Sequence, residues 1–404
     1  MLSVGLYSIP SFSQNLKELC TKLNPNLIRG NGYDLVPDSV FFQSQIIGLG
    51  ENCHGSKAFF EAKNELIKKA VKEFGYRLLW IEAEVSGTET ANSYIVSGIG
   101  KVEDAVFALG ISAWMTNEMA ALLDWLKSYN RGLEPDKRVR IMGIDCKWVQ
   151  PTWNLFRREL EKNGLAAAPP EFPKNPKQGQ EYAKNFLSNE LQSYRIRFDS
   201  ISSEELQNRM KRLSLILEFC LKHFLINEPY AKANFRDECM YRIIQIEASQ
   251  EKQLIWAHNE HITLNGEYPY WVSLGERLKK DYGKNYFALG LVVSKGWIGF
   301  YNQTKGVADS LPLPEDSPQS YAYGFGQCTT GNFFLNLRNP TSELSSWIEN
   351  KNFKKKLGSI ELRFDQKSKS YQVEKVYQQK PLYEKLDGLI YIPNSGSPSR
   401  LVFN

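Results

Sequence analysis

Short apolar runs, separated by longer amphipathic stretches, constrain this chain more than any other feature of it. They are Gln45–Gly50, Leu78–Ala83, Val139–Ile144, Leu254–Ala257 and Phe287–Val293. Each has the length of a strand and is apolar nearly throughout, the pattern of strands buried on both faces of a parallel sheet. Between the first two, Phe59, Phe60, Leu66, Ile67, Ala70, Val71 and Phe74 recur at helical spacing. Ser56 stands where a helix cap belongs and Gly75 where a helix stops. Glu89–Val96 and Asn117–Tyr129 read as further helices, the second ending at Gly132. Strand–helix–strand order of this kind predicts an α/β fold, a mainly parallel sheet flanked by helices and joined by right-handed crossovers.

The order breaks after the third run. Residues 163 to about 180 turn to Ala, Pro, Lys and Gln, as in Pro169-Pro170-Glu171-Phe172-Pro173, and read as an exposed loop. Glu204–Leu225 and Tyr230–Ser249 then carry helical patterns. The expectation is one domain over residues 1–404, with a helical insertion over 163–250 that forms one wall of an active-site cleft. Leu311–Phe325, rich in Pro, Ser and Tyr, reads as a loop. Strand character returns at Phe333–Leu337, Ile360–Phe364 and Leu389–Ile392.

Charge and cysteine usage narrow the function classes. A net charge of +5 is spread along the chain without a Lys/Arg run, which argues against a nucleic-acid partner. No run approaches the roughly 20 apolar residues that a membrane helix needs. Met1 to Ser13 has no basic segment followed by a clean apolar stretch, so no signal peptide is expected. The six cysteines lack paired spacing, a pattern of free thiols in a reducing cytoplasm.

In an open α/β sheet, ligands bind beyond the carboxyl ends of the strands. There the runs end in Gly50-Glu51-Asn52-Cys53-His54-Gly55, Glu82-Ala83-Glu84, Asp145-Cys146 and His258-Asn259-Glu260-His261. Acids and three of the four histidines thus converge on one edge, where an unpaired charge would be costly to desolvate. His54 suits a general base, because imidazole titrates near neutral pH. Backbone N–H groups at the start of the helix after Ser56 can face a developing oxyanion. Gly48-x-Gly50 does not continue as a dinucleotide fingerprint, since Cys53 takes the third position and Glu51 would face a pyrophosphate. No Gly-x-Ser-x-Gly turn is present to hold a nucleophilic serine. Cys53 beside His54 reads as a small buried thiol. Asp145 alone is explained by capping its strand, and His223 by a structural place in a helix. A metal remains open on residue type, because Glu51, His54, Glu82, His258 and His261 are all acceptable ligands.

Taken in order, Leu49-Gly50-Glu51-Asn52-Cys53-His54, Glu82 and Ala257-His258-Asn259-Glu260-His261-Ile262 resemble the signature of the erythromycin esterase family. Arg236-Asp237 with Met240, Leu274-Gly275-Glu276-Arg277-Leu278 and Leu386-Asp387-Gly388 extend the resemblance over most of the chain. It implies a hydrolase that opens a macrolide lactone or related ester, with antibiotic inactivation as the attached role. In that picture His54 activates water directly, with no acyl-enzyme, no obligatory metal and no cofactor. Glu51, Glu82 and His258 orient the base, bind substrate or move protons, and His261 joins them. Arg236 and Lys63 are expected to bind substrate. Lys63 stands where the family usually has an arginine, and a lysine keeps the charge but loses the two-pronged fork. Thr263-Leu264-Asn265-Gly266 replaces a Gln-Lys-Thr continuation. Both departures touch the choice of substrate. The alternative is a metal-dependent hydrolase of another ester, amide or phosphoester. The sequence leaves the oligomeric state open.

Overall fold

A computed structural model describes residues 20–401 apart from 22, 24–26, 31, 111, 248–249, 267–269, 303–304, 306, 330, 350–357, 366 and 378–379. Met1 to Ser13, read above for a signal peptide, lies outside the described residues. The strands are β1 (Leu27–Arg29), β2 (Ile46–Leu49), β3 (Tyr76–Glu84), β4 (Arg140–Asp145), β5 (Lys252–Trp256), β6 (Tyr286–Asn302), β7 (Val307–Pro312), β8 (Phe333–Asn336), β9 (Gly358–Asp365), β10 (Ser370–Tyr377) and β11 (Gly388–Ser395).

The main sheet runs β1-β8-β11-β6-β2-β5-β3-β4, with β7 paired to β6, while β9 and β10 form a separate hairpin. From β11 through β4 every neighbouring pair is parallel. The mainly parallel α/β reading is therefore correct, with an antiparallel edge at β8 and β1. Both faces are covered, which explains the unbroken apolar runs. Ile46, Leu78, Trp80 and Ile255 pack on one side with helices Glu204–Leu225 and Pro229–Ile246. Ile47, Leu49, Leu79, Ile81, Leu254 and Trp256 pack on the other with helices Lys57–Phe74 and Asn117–Asn130. Each such side chain, once buried, contributes roughly 1.5–3 kcal/mol.

Helix Lys57–Phe74 ends, as expected, at Gly75 in the left-handed conformation (φ 74°). Between β4 and β5 lie helices Val149–Lys162, Pro176–Asn185, Leu191–Phe198, Glu204–Leu225 and Pro229–Ile246. The sequence does not reveal the first three of these, and Pro176–Asn185 begins inside the stretch to about 180 expected as a loop; Val149, Thr152, Trp153, Phe156 and Leu160 line the buried face of the first. The 311–325 segment expected as a loop instead holds the end of β7 and the start of helix Tyr321–Cys328, which Ser320 caps by accepting from the Tyr323 amide.

The expectation of six free thiols needs a correction. Cys20 and Cys328 form a disulfide across 308 residues, while Cys53, Cys146, Cys220 and Cys239 are free and buried. Partners this far apart leave no spacing signal, because the fold alone brings them together. Among the described residues no helix is long and apolar enough to cross a membrane.

Candidate active site

β2, β5, β3 and β4 lie side by side, and their carboxyl ends open into a cavity of about 810 Å³. Its lining includes His54, Glu82, Asp145, Arg236, His258 and His261. Glu51 and Lys63 are buried and do not line it.

The turn after β2 is tightly fitted. A side-chain carbon on Gly50 would fall 2.1 Å from Asn259 Oδ1, whose amide nitrogen already donates to Leu291 O at 3.1 Å. Gly50→Ala should therefore push the His54 and His258 loops apart, lowering both melting temperature and turnover. An alanine variant with wild-type melting would show that this approach is unimportant.

Glu51 is the hub of the first half of the site. Its Oε1 accepts from His54 Nδ1 at 2.7 Å, and its Oε2 from Lys63 Nζ at 2.6 Å and Trp256 Nε1 at 3.0 Å. Burial would raise the Glu51 pKa, but the Lys63 and His54 charges outweigh it and hold the carboxyl below its usual range. Burial works against charge on His54 too, yet the Glu51 hydrogen bond and the Glu82 charge raise its pKa above the ordinary value. The Glu51 contact fixes the His54 tautomer with its proton on Nδ1, leaving Nε2 as the basic nitrogen. Lys63 is fully buried, so it meets Glu51 rather than the cavity. Burial brings its pKa down to about 8. Cys53 is buried, and its thiol pKa is pushed well up by burial and by Glu51, which leaves it unreactive.

The second half centres on Arg236, carried by helix Pro229–Ile246. Its Nε and Nη2 donate to Asp145 at 2.9 and 2.6 Å, Nη2 also to Glu82 Oε1 at 2.7 Å, and Nη1 faces His261 Nε2 at 3.0 Å. His261 Nδ1 donates to Asp237 Oδ1 at 2.8 Å. Burial opposes its charge, but Asp237 and Glu82 lift the His261 pKa to about 10. The Glu82 and Asp145 carboxyls are held below their usual range against the effect of burial, Glu82 by His261 and Arg236 and Asp145 chiefly by Arg236. Glu84 behaves oppositely. Burial and the Asp145 charge push its pKa well up, and it accepts from the Trp148 amide at 2.8 Å.

His258 joins the halves. Its backbone N–H donates to Glu82 Oε2 at 2.9 Å, and its ring centroid lies 5.5 Å from that of His54. Burial and the His54 charge push its pKa down to about 3, which favours the neutral ring.

The chain belongs to the erythromycin esterase family. The family model, described as erythromycin esterase, matches residues 71–223 and 220–395. An Escherichia coli protein named erythromycin esterase type II is 20% identical over 408 residues, covering 89% of this chain and 91% of its own. A solved structure titled as a succinoglycan biosynthesis protein superposes with a TM-score of 0.73 at 19% identity, covering 96% of this chain and 99% of that one. A mutant of erythromycin esterase EreC in its open conformation gives 0.64 at 14% identity, over 90% and 94%. At these identities the solved structures establish the fold alone.

In this erythromycin esterase fold, two expectations meet a different geometry. The first N–H groups of helix Lys57–Phe74 do not face the cavity, because Lys57 donates to Gly396 O at 3.0 Å and Ala58 to Ser395 Oγ at 3.0 Å. Ser56 likewise pairs its hydroxyl with Ser395 Oγ at 2.8 Å and makes no side-chain cap. Among the described residues no three His, Cys, Asp or Glu side chains are grouped to hold a metal ion. His223 is buried in helix Glu204–Leu225, and burial brings its pKa down to about 4. The opposite wall of the cavity, Ser359 to Leu362 with Val376 and Tyr377, comes from the β9–β10 hairpin. It was not foreseen, because a polar hairpin strand far along the chain carries no site motif. Asn52 ties this wall to the His54 loop, donating through its side chain to Gly358 O at 3.2 Å and accepting at its carbonyl from Ile360 N at 2.7 Å.

Proposed function

We propose that the protein hydrolyses a carboxylic ester, with a macrolide lactone as the first substrate class, by attack of water that His54 activates. The observation that carries this reading is the His54–Glu51 contact, which leaves the basic Nε2 over a cavity large enough for a bulky ester. Family membership supports the ester chemistry. Nε2 takes a proton from water, the hydroxide adds to the carbonyl carbon, and the resulting imidazolium returns that proton to the leaving alkoxide. Glu51 orients His54 and stabilises its cationic form, while Lys63 and Trp256 hold Glu51 in place. Arg236 and His261 fix Glu82, which accepts the His258 amide. Lys63 and Arg236 thus serve as positioning residues, acting through these carboxylates. A cytoplasmic site of action accompanies this proposal; the four buried free cysteines fit a reducing compartment, whereas the Cys20–Cys328 disulfide fits an oxidising one.

The test is incubation with erythromycin, with and without a chelator, following the mass of the drug. A gain of one water that persists with chelator and vanishes in His54→Ala supports the reading. Loss of activity with chelator, restored by added metal, would replace it with the metal-dependent hydrolase. No change in mass would exclude erythromycin, and a panel of acyl esters would follow.

A further inference from the structure

The tetrahedral intermediate of ester hydrolysis places negative charge on the former carbonyl oxygen, and that charge needs a hydrogen-bond donor. The helix N–H groups that first offered themselves are engaged with Gly396 and Ser395. A donor must therefore come from another wall of the cavity.

Ser359, on β9, lines the cavity and is 8% exposed. Its Oγ lies 3.3 Å from His258 Nε2. The other nitrogen of that ring, Nδ1, accepts from the Glu260 backbone N–H at 3.3 Å. A neutral imidazole carries one proton, and with Nδ1 accepting, that proton is on Nε2. His258 therefore donates to Ser359 Oγ, and the hydroxyl proton of Ser359 remains to be given elsewhere. The same tautomer denies His258 the role of base toward Ser359, so the pair is not a serine-hydrolase dyad. A chain of donors from the Glu260 amide through His258 to Ser359 strengthens the last donor in the series.

We propose that Ser359 is a further catalytic residue, its hydroxyl donating to the oxyanion formed when His54-activated water attacks. The proposal rests on the ester-hydrolase reading above. In the step, the carbonyl π pair moves onto oxygen as the hydroxide bond forms, and Ser359 O–H bonds that oxygen. When the pair returns, the alkoxide leaves with the proton from His54, and Ser359 emerges unchanged.

The experiment combines turnover with binding of a methylphosphonate monoester, whose tetrahedral anion copies the intermediate. Ser359→Ala should lower kcat by about a hundredfold with little change in KM. It should weaken phosphonate binding, followed by calorimetry, at least tenfold. Ser359→Thr, which keeps the hydroxyl, should recover most of both, and melting curves of all three proteins should coincide. Wild-type kcat and phosphonate affinity in Ser359→Ala would overturn the proposal while leaving the esterase reading intact. A mass adduct on Ser359 in quenched turnover would overturn it in favour of a nucleophile. Ser359-dependent phosphonate binding in an enzyme that turns over no ester would uphold the donor and reject the ester reading. Failure of the wild-type protein to bind the phosphonate would overturn the donor.

Discussion

Replacing His54 with alanine should reduce ester turnover by about 10³- to 10⁴-fold and leave the protein folded, since general bases contribute up to about this much. The largest value corresponds to a barrier increase of about 5 kcal/mol. The fold should tolerate the change because the His54 side chain is 38% exposed and Glu51 keeps its contacts to Lys63 and Trp256. Urea unfolding of the variant should match wild type within about 0.5 kcal/mol, the range for changes away from the core. The pH dependence supplies an independent check. Only neutral His54 can accept a proton, so kcat/KM should rise with pH through an apparent pKa above the ordinary 6.5 of histidine. Glu51→Gln keeps an oxygen to accept from Nδ1 but removes the anion. Burial then works to lower the His54 pKa with less opposition, and the acid limb should move to lower pH. A limb that stays put, or a His54→Ala enzyme of normal rate, would remove His54 from the mechanism.

The parts of this site that were legible in the sequence share one property. Glu51, His54 and His258 lie within a few residues after an apolar strand and Glu82 lies near the carboxyl end of β3, so a parallel sheet delivers them to a common edge without further information. Strand and helix periods located β2 to β6 for the same reason, since burial on both faces leaves an unmistakable apolar run. The β9–β10 hairpin carries alternating exposed residues on β10, and its place over the cavity is set by tertiary contacts through Asn52 and Lys375. No local pattern records that. Lys63 shows the limit of reading charge from a helix surface. Its position on helix Lys57–Phe74 gives its face, but only the packed structure shows that the face turns inward to Glu51.

Removal of the Arg236 charge should produce the largest loss of stability in the site. Arg236 is 17% exposed and pairs with Glu82 and Asp145, which are 5% and 0% exposed. Arg236→Met keeps much of the side-chain volume but leaves two buried carboxylates with His261 as their nearest remaining cation. Breaking a buried pair from one side costs about 3–5 kcal/mol, because the abandoned charge is still desolvated. The sign of the pH dependence follows from the wild-type shifts. The Glu82 and Asp145 pKa values are depressed in the folded protein, so their contribution is present above the unfolded values and lost as pH falls through the folded ones. In Arg236→Met, Asp145 loses its main counter-charge and Glu82 loses one of its two, keeping His261, so burial raises both carboxyls relative to wild type, Asp145 most, and protonation relieves the folded state. The stability gap from wild type should therefore be widest near pH 7 and should narrow as pH falls toward 4. Arg236→Lys should lie between, since an ammonium keeps the charge but cannot span Asp145 and Glu82 with one planar fork. A gap below about 1 kcal/mol, or one that does not change with pH, would mean that Asp145 and Glu82 find compensation the structure does not show. Activity in Arg236→Met should fall as well, because Glu82 would no longer be held where it accepts the His258 amide.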